Sequence, residues 1–181
     1  SSLLSHLLGR DRAFLVTHGD ERLTDEQVAS YRSSIGRRAA GEPLQYIKGS
    51  QEFYGLDFEV NADVLIPRPE TELLVETALE LLGGAGPPLV CDVGTGSGCI
   101  AVALLHARMD ARAFALDVSA AALEVAARNA ARNGVEDRIT FLVSDCFDAL
   151  DSGGGDGTRF DLVASNPPYV AEKDLGGLQR E

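Results

Sequence analysis

The sequence predicts an α/β protein: a doubly wound, mainly parallel sheet, entered through a small N-terminal helical domain (1–43) and a β-hairpin linker (44–65). Three observations predict it. From Leu89 onward, short apolar strands alternate with helical stretches, the arrangement that builds parallel sheets through crossover helices. A glycine-rich turn at Gly94 to Gly98 joins the first of these strands to the first helix. The first forty residues, by contrast, read as helical.

Leu3, Leu4, Leu7 and Leu8 suggest an amphipathic turn or two, and Gly9 and Gly19 bound a segment around Phe14, Leu15 and Val16. Thr24 and Gln27 have capping-box spacing, Val28, Tyr31, Ile35 and Ala39 form an apolar helical stripe, and Gly41 stands where that helix should stop. From Leu44 to Val60 aromatic and β-branched residues are punctuated by Gly49, Ser50 and Gly55, which predicts the hairpin. After Ile66 to Pro69, helical periodicity returns through Leu73, Leu74, Thr77 and Leu81 until Gly83 and Gly84.

The main domain is expected over 66–181. Its strands are predicted at Leu89 to Val93, Ala113 to Leu116, Ile139 to Val143 and Phe160 to Ala164. Helices are predicted over Cys99 to Arg108 and after the capping Ser119, the latter ending at Asn133 and Gly134. A glycine-rich loop from Ser152 to Gly157 precedes the fourth strand. A sheet of this kind continues past its fourth strand, so the chain is expected to be part of a longer one, truncated there and incomplete at Ser1.

Composition narrows the function classes. The 181 residues carry a formal net charge of −12, which opposes nonspecific attraction to phosphates and favours a protein substrate over nucleic acid. No apolar run approaches the roughly 20 residues of a membrane span, and a cytoplasmic protein is expected. Cys91, Cys99 and Cys146 are odd in number and lack metal-ligand spacing, so neither a metal site nor a disulfide framework is expected.

Ligands of doubly wound sheets bind beyond the carboxyl ends of the strands, where the candidate residues fall. In Asp92-Val93-Gly94-Thr95-Gly96-Ser97-Gly98 the glycines permit positive φ and close approach to the backbone. A dinucleotide fingerprint would need glycine where Cys99 stands, which disfavours a pyrophosphate cradle. The Gly-x-Gly-x-Gly loop after an acid instead resembles the first motif of class I S-adenosylmethionine-dependent methyltransferases, whose sheet is Rossmann-like. The cofactor carboxylate would meet backbone N–H groups at the following helix, and Asp92 would face the ammonium end directly or through water. Asp117, ending the second strand, would accept the ribose hydroxyls. Asp145 would bond the adenine amino group, with Cys146 and Phe147 beside the ring. The plainer alternative is a tight turn followed by ordinary loop acids.

Asn166, Pro167, Pro168 and Tyr169 close the fourth strand. A planar nitrogen has its lone pair delocalised, so a site that methylates it must hold the NH2 group by its hydrogens. The Asn166 side-chain oxygen and the Pro167 carbonyl can both accept, and neither Pro167 nor Pro168 offers a competing N–H. Such acceptors orient the NH2 group toward the sulfonium methyl. Tyr169 would stack on the flat group. The tetrapeptide alone leaves adenine, guanine and glutamine open as substrates.

The wider pattern resembles the release-factor glutamine methyltransferase, or HemK, family. It rests on Gly41 to Ile47 before Gly49; Phe53 and Tyr54; the run Ile66, Pro67, Arg68, Pro69, Glu70, Thr71, Glu72; and Asn166 to Tyr169. Glutamine methyltransferases of ribosomal protein typically carry Arg-Ser-Pro near Arg68, whereas Arg-Pro-Glu-Thr-Glu stands here. The resemblance implies transfer from S-adenosyl-L-methionine, leaving S-adenosyl-L-homocysteine, to the amide nitrogen of the glutamine in the Gly-Gly-Gln motif of release factors. It implies cofactor contacts at Gly94 to Gly98, Asp117 and Asn166, and N-terminal helices that help to dock the factor. A monomer is expected. Cys146 departs from relatives that carry tryptophan there, and Glu70 and Glu72 are left between lining the site and complementing a helix dipole. An amino-methyltransferase of DNA or RNA and a noncatalytic cofactor-binding module are the competing readings.

Overall fold

A computed structural model describes residues 2–84, 86–151 and 158–167. The predicted loop from Ser152 to Gly157 lies outside them, as do Pro168 and Tyr169. Two compact units divide between Gly49 and Ser50.

The first unit is helical: α1 (Ser2–Leu8), α2 (Arg12–Thr17), α3 (Asp25–Ala39) and α4 (Leu44–Lys48). Asp11 caps α2 by accepting the Phe14 N–H at 2.7 Å. The predicted capping box starts α3: Gln27 N–H donates to Thr24 Oγ1 at 3.2 Å, and Thr24 N–H donates to Gln27 Oε1 at 2.9 Å.

α4 corrects the expected extent of the hairpin, since Leu44–Lys48 forms a helical turn. Tyr46 and Ile47 favour strands only weakly over so short a stretch. Pro43 (φ −56) starts the turn and Gly49 (φ 74) stops it, with the Gly49 N–H donating to the Gln45 carbonyl at 2.7 Å.

The second unit begins with the hairpin itself, β1 (Ser50–Phe53) paired antiparallel with β2 (Leu56–Glu59). Tyr54 (φ 53) and Gly55 (φ 73) make its two-residue turn, the left-handed pair whose twist suits a hairpin. Two carboxylates hold it: Glu72 accepts the Tyr54 N–H at 2.9 Å, and Glu52 accepts the Gly55 N–H at 2.7 Å. Phe53 and Phe58 point into the core, ring centroids 6.0 Å apart and edge to face. Pro69–Thr71 forms a 3-10 turn leading into α5 (Glu72–Leu81).

The sheet follows as β3 (Leu89–Val93), α6 (Cys99–Ala107), β4 (Arg112–Asp117), α7 (Ala120–Arg132), β5 (Ile139–Val143), α8 (Asp148–Asp151) and β6 (Leu162–Ser165). All pairings are parallel, in the order β5-β4-β3-β6. α6 is buried from Cys99 to Leu105, as expected of a helix that is apolar on every side. The register sets Val93 beside both Leu116 and Ser165, and Asp117 beside Val143. Because β4 and β6 flank β3, the order reverses there, and the carboxyl ends of these strands form the topological switch point.

Candidate functional site

The glycine loop rises from β3 at this switch point. Its three glycines have φ of 71, 55 and 79, and the N–H groups of Gly94 and Thr95 both donate to the Leu116 carbonyl, at 2.8 and 2.9 Å. At Gly98 two constraints coincide. A side chain would be strained by the left-handed backbone, and a Cβ would stand 3.0 Å from Ala126 Cβ on α7.

Asp117 completes the loop. One carboxylate oxygen accepts the Gly96 N–H and the other the Ser119 N–H, each at 2.9 Å. Ser119 in turn caps α7 through the Ala122 N–H at 3.2 Å. This single acid therefore joins the loop to the helix after β4.

Asp92 lies beneath the loop with no exposed surface. Its Oδ2 accepts from Thr95 Oγ1 at 2.7 Å and from the Ala101 N–H at 3.2 Å. Oδ1 is buried without a hydrogen-bond partner among the described residues. Burial pushes the carboxyl up to about 6; the bonds from Thr95 and Ala101 oppose that, and the charge of Asp117 adds to it.

A cavity of about 330 Å³ opens at the strand ends. Gly94 to Ser97 with Cys99 and Ile100 form one wall, Asp117 to Ser119 with Ala122 another, and Asp63 to Arg68 with Thr71 a third. Asn166, just past β6, reaches the same cavity, and its Nδ2 donates to Thr71 Oγ1 at 3.0 Å. The Gly94–Ser97 loop, Asp117 and Asn166 are thus brought together from three strands. Pro167 follows as an exposed residue.

Asp145 is exposed and lines a second, shallower cavity of about 410 Å³ that shares Val118 with the first. Cys146 lines neither of these two cavities. It occupies the left-handed region (φ 47), and Ser144 Oγ donates to its carbonyl at 2.9 Å.

Sequence reasoning missed two groups here. Of the Asp63–Arg68 wall, Ile66 to Arg68 stood out only as part of the run that carries the resemblance, and Asp63 to Leu65 not at all. Thr71 was visible only within the Pro-Glu-Thr run, without sign of its bond to a residue 95 positions away. Glu72, left open above, accepts the Tyr54 N–H.

A cavity at the switch point, bounded by this loop and the acid ending the next strand, suits an adenosyl ligand without a pyrophosphate. The class so outlined is the S-adenosylmethionine-dependent methyltransferase fold. A solved S-adenosylmethionine-dependent methyltransferase from Agrobacterium tumefaciens shares that fold, with a TM-score of 0.54 at 20% identity over 66% of this chain and 39% of its own. Residues 69–177 match the methyltransferase small domain, and the chain belongs to that family. Residues 1–49 match the PrmC N-terminal domain. The chain is 51% identical over 178 residues to a protein of Burkholderia pseudomallei named release factor glutamine methyltransferase, covering 95% of this chain and 60% of the relative. It is 47% identical to a Koribacter versatilis protein of the same name, covering 99% of this chain and 62% of the relative. The chain therefore spans about three fifths of the length of these curated relatives.

Proposed function

We propose that this protein transfers a methyl group from S-adenosyl-L-methionine to the side-chain amide nitrogen (N5) of the glutamine in the Gly-Gly-Gln motif of peptide chain release factors. The observation that carries the reading is that Asn166 opens on the cavity lined by the glycine loop and Asp117. The named relatives narrow the amide to that of a release factor, and their similarity spans both units of this chain.

The donor set suits the cofactor. Each Asp117 oxygen holds one backbone N–H and retains lone-pair capacity for a ribose hydroxyl. The first turn of α6 favours a carboxylate, and Asp92 Oδ1, buried beneath the loop and outside the cavity lining, would meet an ammonium group only through a bridging water. Bound there, S-adenosylmethionine would supply an electrophilic methyl on a sulfonium centre. Asn166, with Nδ2 engaged by Thr71, keeps Oδ1 to accept from the substrate NH2 group, and the Pro167 carbonyl accepts the second hydrogen. In this reading Pro168, lacking an N–H, adds no competing donor, and Tyr169, outside the described residues, would stack on the amide plane. No metal is needed. Asp145 would serve the adenine end through the adjoining cavity, whereas Cys146, which lines neither cavity, is left without a cofactor contact in this reading.

The same reading takes residues 1–49 as the docking unit for the factor and the protein as a cytoplasmic monomer. The test is transfer of labelled methyl by the full-length protein to a release factor and to its Gly-Gly-Gln glutamine-to-alanine variant. Labelling of the first alone is expected. Equal labelling of both, or labelling of DNA or RNA instead, overturns the reading.

A further inference from the structure

Asn129 sits on α7 with no exposed surface, and its amide is engaged on both sides. Oδ1 accepts the Glu59 N–H at 2.7 Å, while Nδ2 donates to the Glu59 carbonyl at 3.0 Å and to the Ser97 carbonyl at 2.9 Å. These two residues lead to two different walls of one cavity. Ser97 belongs to the glycine loop, and Glu59 ends β2, from which the chain runs to the Asp63–Arg68 wall.

The direction of the Ser97 carbonyl matters. A carboxylate is held at a helix N-terminus by N–H groups and is repelled by a carbonyl oxygen turned the same way. The Ser97 carbonyl is drawn into α7 by a side chain that water does not reach. The approach is close, since Gly98 has no room for a methyl group against Ala126 on the same helix. Without the Asn129 donor that carbonyl would be a buried acceptor lacking its partner, a state relieved by rotating the peptide toward the cavity.

We propose that Asn129 is a positioning residue for the amino-acid end of the cofactor: it holds the Ser97 carbonyl out of the cavity and locks the glycine loop to the chain leaving the hairpin. The proposal rests on the cavity taking S-adenosylmethionine. The bonds at stake link residues 32 and 70 positions apart, so one amide sets the spacing of both walls.

Two ligands test it on the full-length protein. S-adenosylhomocysteine has the amino-acid carboxylate, whereas 5′-methylthioadenosine keeps the adenosyl group and lacks that end. By calorimetry well below the melting temperature, Asn129→Ala is expected to lose about tenfold or more affinity for S-adenosylhomocysteine and at most about threefold for 5′-methylthioadenosine. If that variant does not fold, Asn129→Ser, which leaves room for a bridging water, is read in the same way. Arg132→Ala removes a tie from α7 to Asp57 on β2 without touching the loop, and should leave both affinities unchanged. Equal losses for the two ligands, or no loss for either, overturn the positioning role while the cofactor reading stands. Failure of the unsubstituted protein to bind either ligand overturns the cofactor reading, and the proposal with it.

Discussion

Replacing Gly98 by alanine adds one methyl group and incurs two separable penalties. The backbone at φ 79 disfavours any Cβ by about 1–2 kcal/mol. The new methyl would also stand 3.0 Å from Ala126 Cβ and 3.3 Å from Ala126 Cα, on a helix face with no exposed surface, and overpacking of that kind adds roughly 1–3 kcal/mol. Gly98→Ala should therefore destabilise the protein by about 2–5 kcal/mol, the sum of the two ranges. Ala126→Gly removes the opposing methyl and alone costs about 1–2 kcal/mol, from helix propensity and lost burial. Urea unfolding of the four proteins of the cycle isolates the contact. The double variant should be at least about 1 kcal/mol more stable than additivity requires, because the methyl clash is relieved while the backbone strain remains. Additivity within about 0.5 kcal/mol would show that the loop does not press on α7, and would refute the packing argument.

Further outcomes follow from individual bonds. Thr71→Val keeps the shape of the side chain and removes the hydroxyl that Asn166 bonds; kcat should fall by about tenfold with little change in KM for the cofactor, and Thr71→Ser should restore it, as steady-state kinetics can check. Burial raises Asp92 from its ordinary 3.8 to about 6, so between these values the folded state holds a proton that the unfolded chain has released. Stability should accordingly fall as pH rises through that window, and Asp92→Asn should remove this part of the slope in urea titrations across it. Glu72→Ala frees the Tyr54 N–H at the strained hairpin turn; it should lower stability by about 1–2 kcal/mol and leave kcat within about twofold, whereas a large rate loss at unchanged stability would make Glu72 part of the chemistry.

What was legible in the sequence had local causes. Leu89–Val93 and Ile139–Val143 are strands over the residues expected, and Thr24 and Ser119 cap the helices expected of them, because apolar runs and capping side chains act within a few residues. The fourth strand is displaced from Phe160–Ala164 to Leu162–Ser165, a boundary set by pairing with Val90 to Val93 rather than by its own pattern. Leu44–Lys48 misled because a five-residue helix between Pro43 and Gly49 contains residues that also suit a strand. At the site, the convergence of Asn166 with the loop and Asp117 was legible, since all three follow strands of one parallel sheet. The supports behind them were not. Thr71 and Asn129 act across 95, 70 and 32 residues, and nothing in their local pattern distinguishes them from ordinary helix residues.

The central claim is that one cavity holds the cofactor while Asn166 presents an acceptor to a planar amide within it. Asn166→Ala tests it most directly, with S-adenosylmethionine affinity by calorimetry and methyl transfer to a release factor measured on the same preparation. The account predicts affinity within a few-fold of the unsubstituted protein and a rate lower by about 10²–10³. An unchanged rate at unchanged affinity would contradict it.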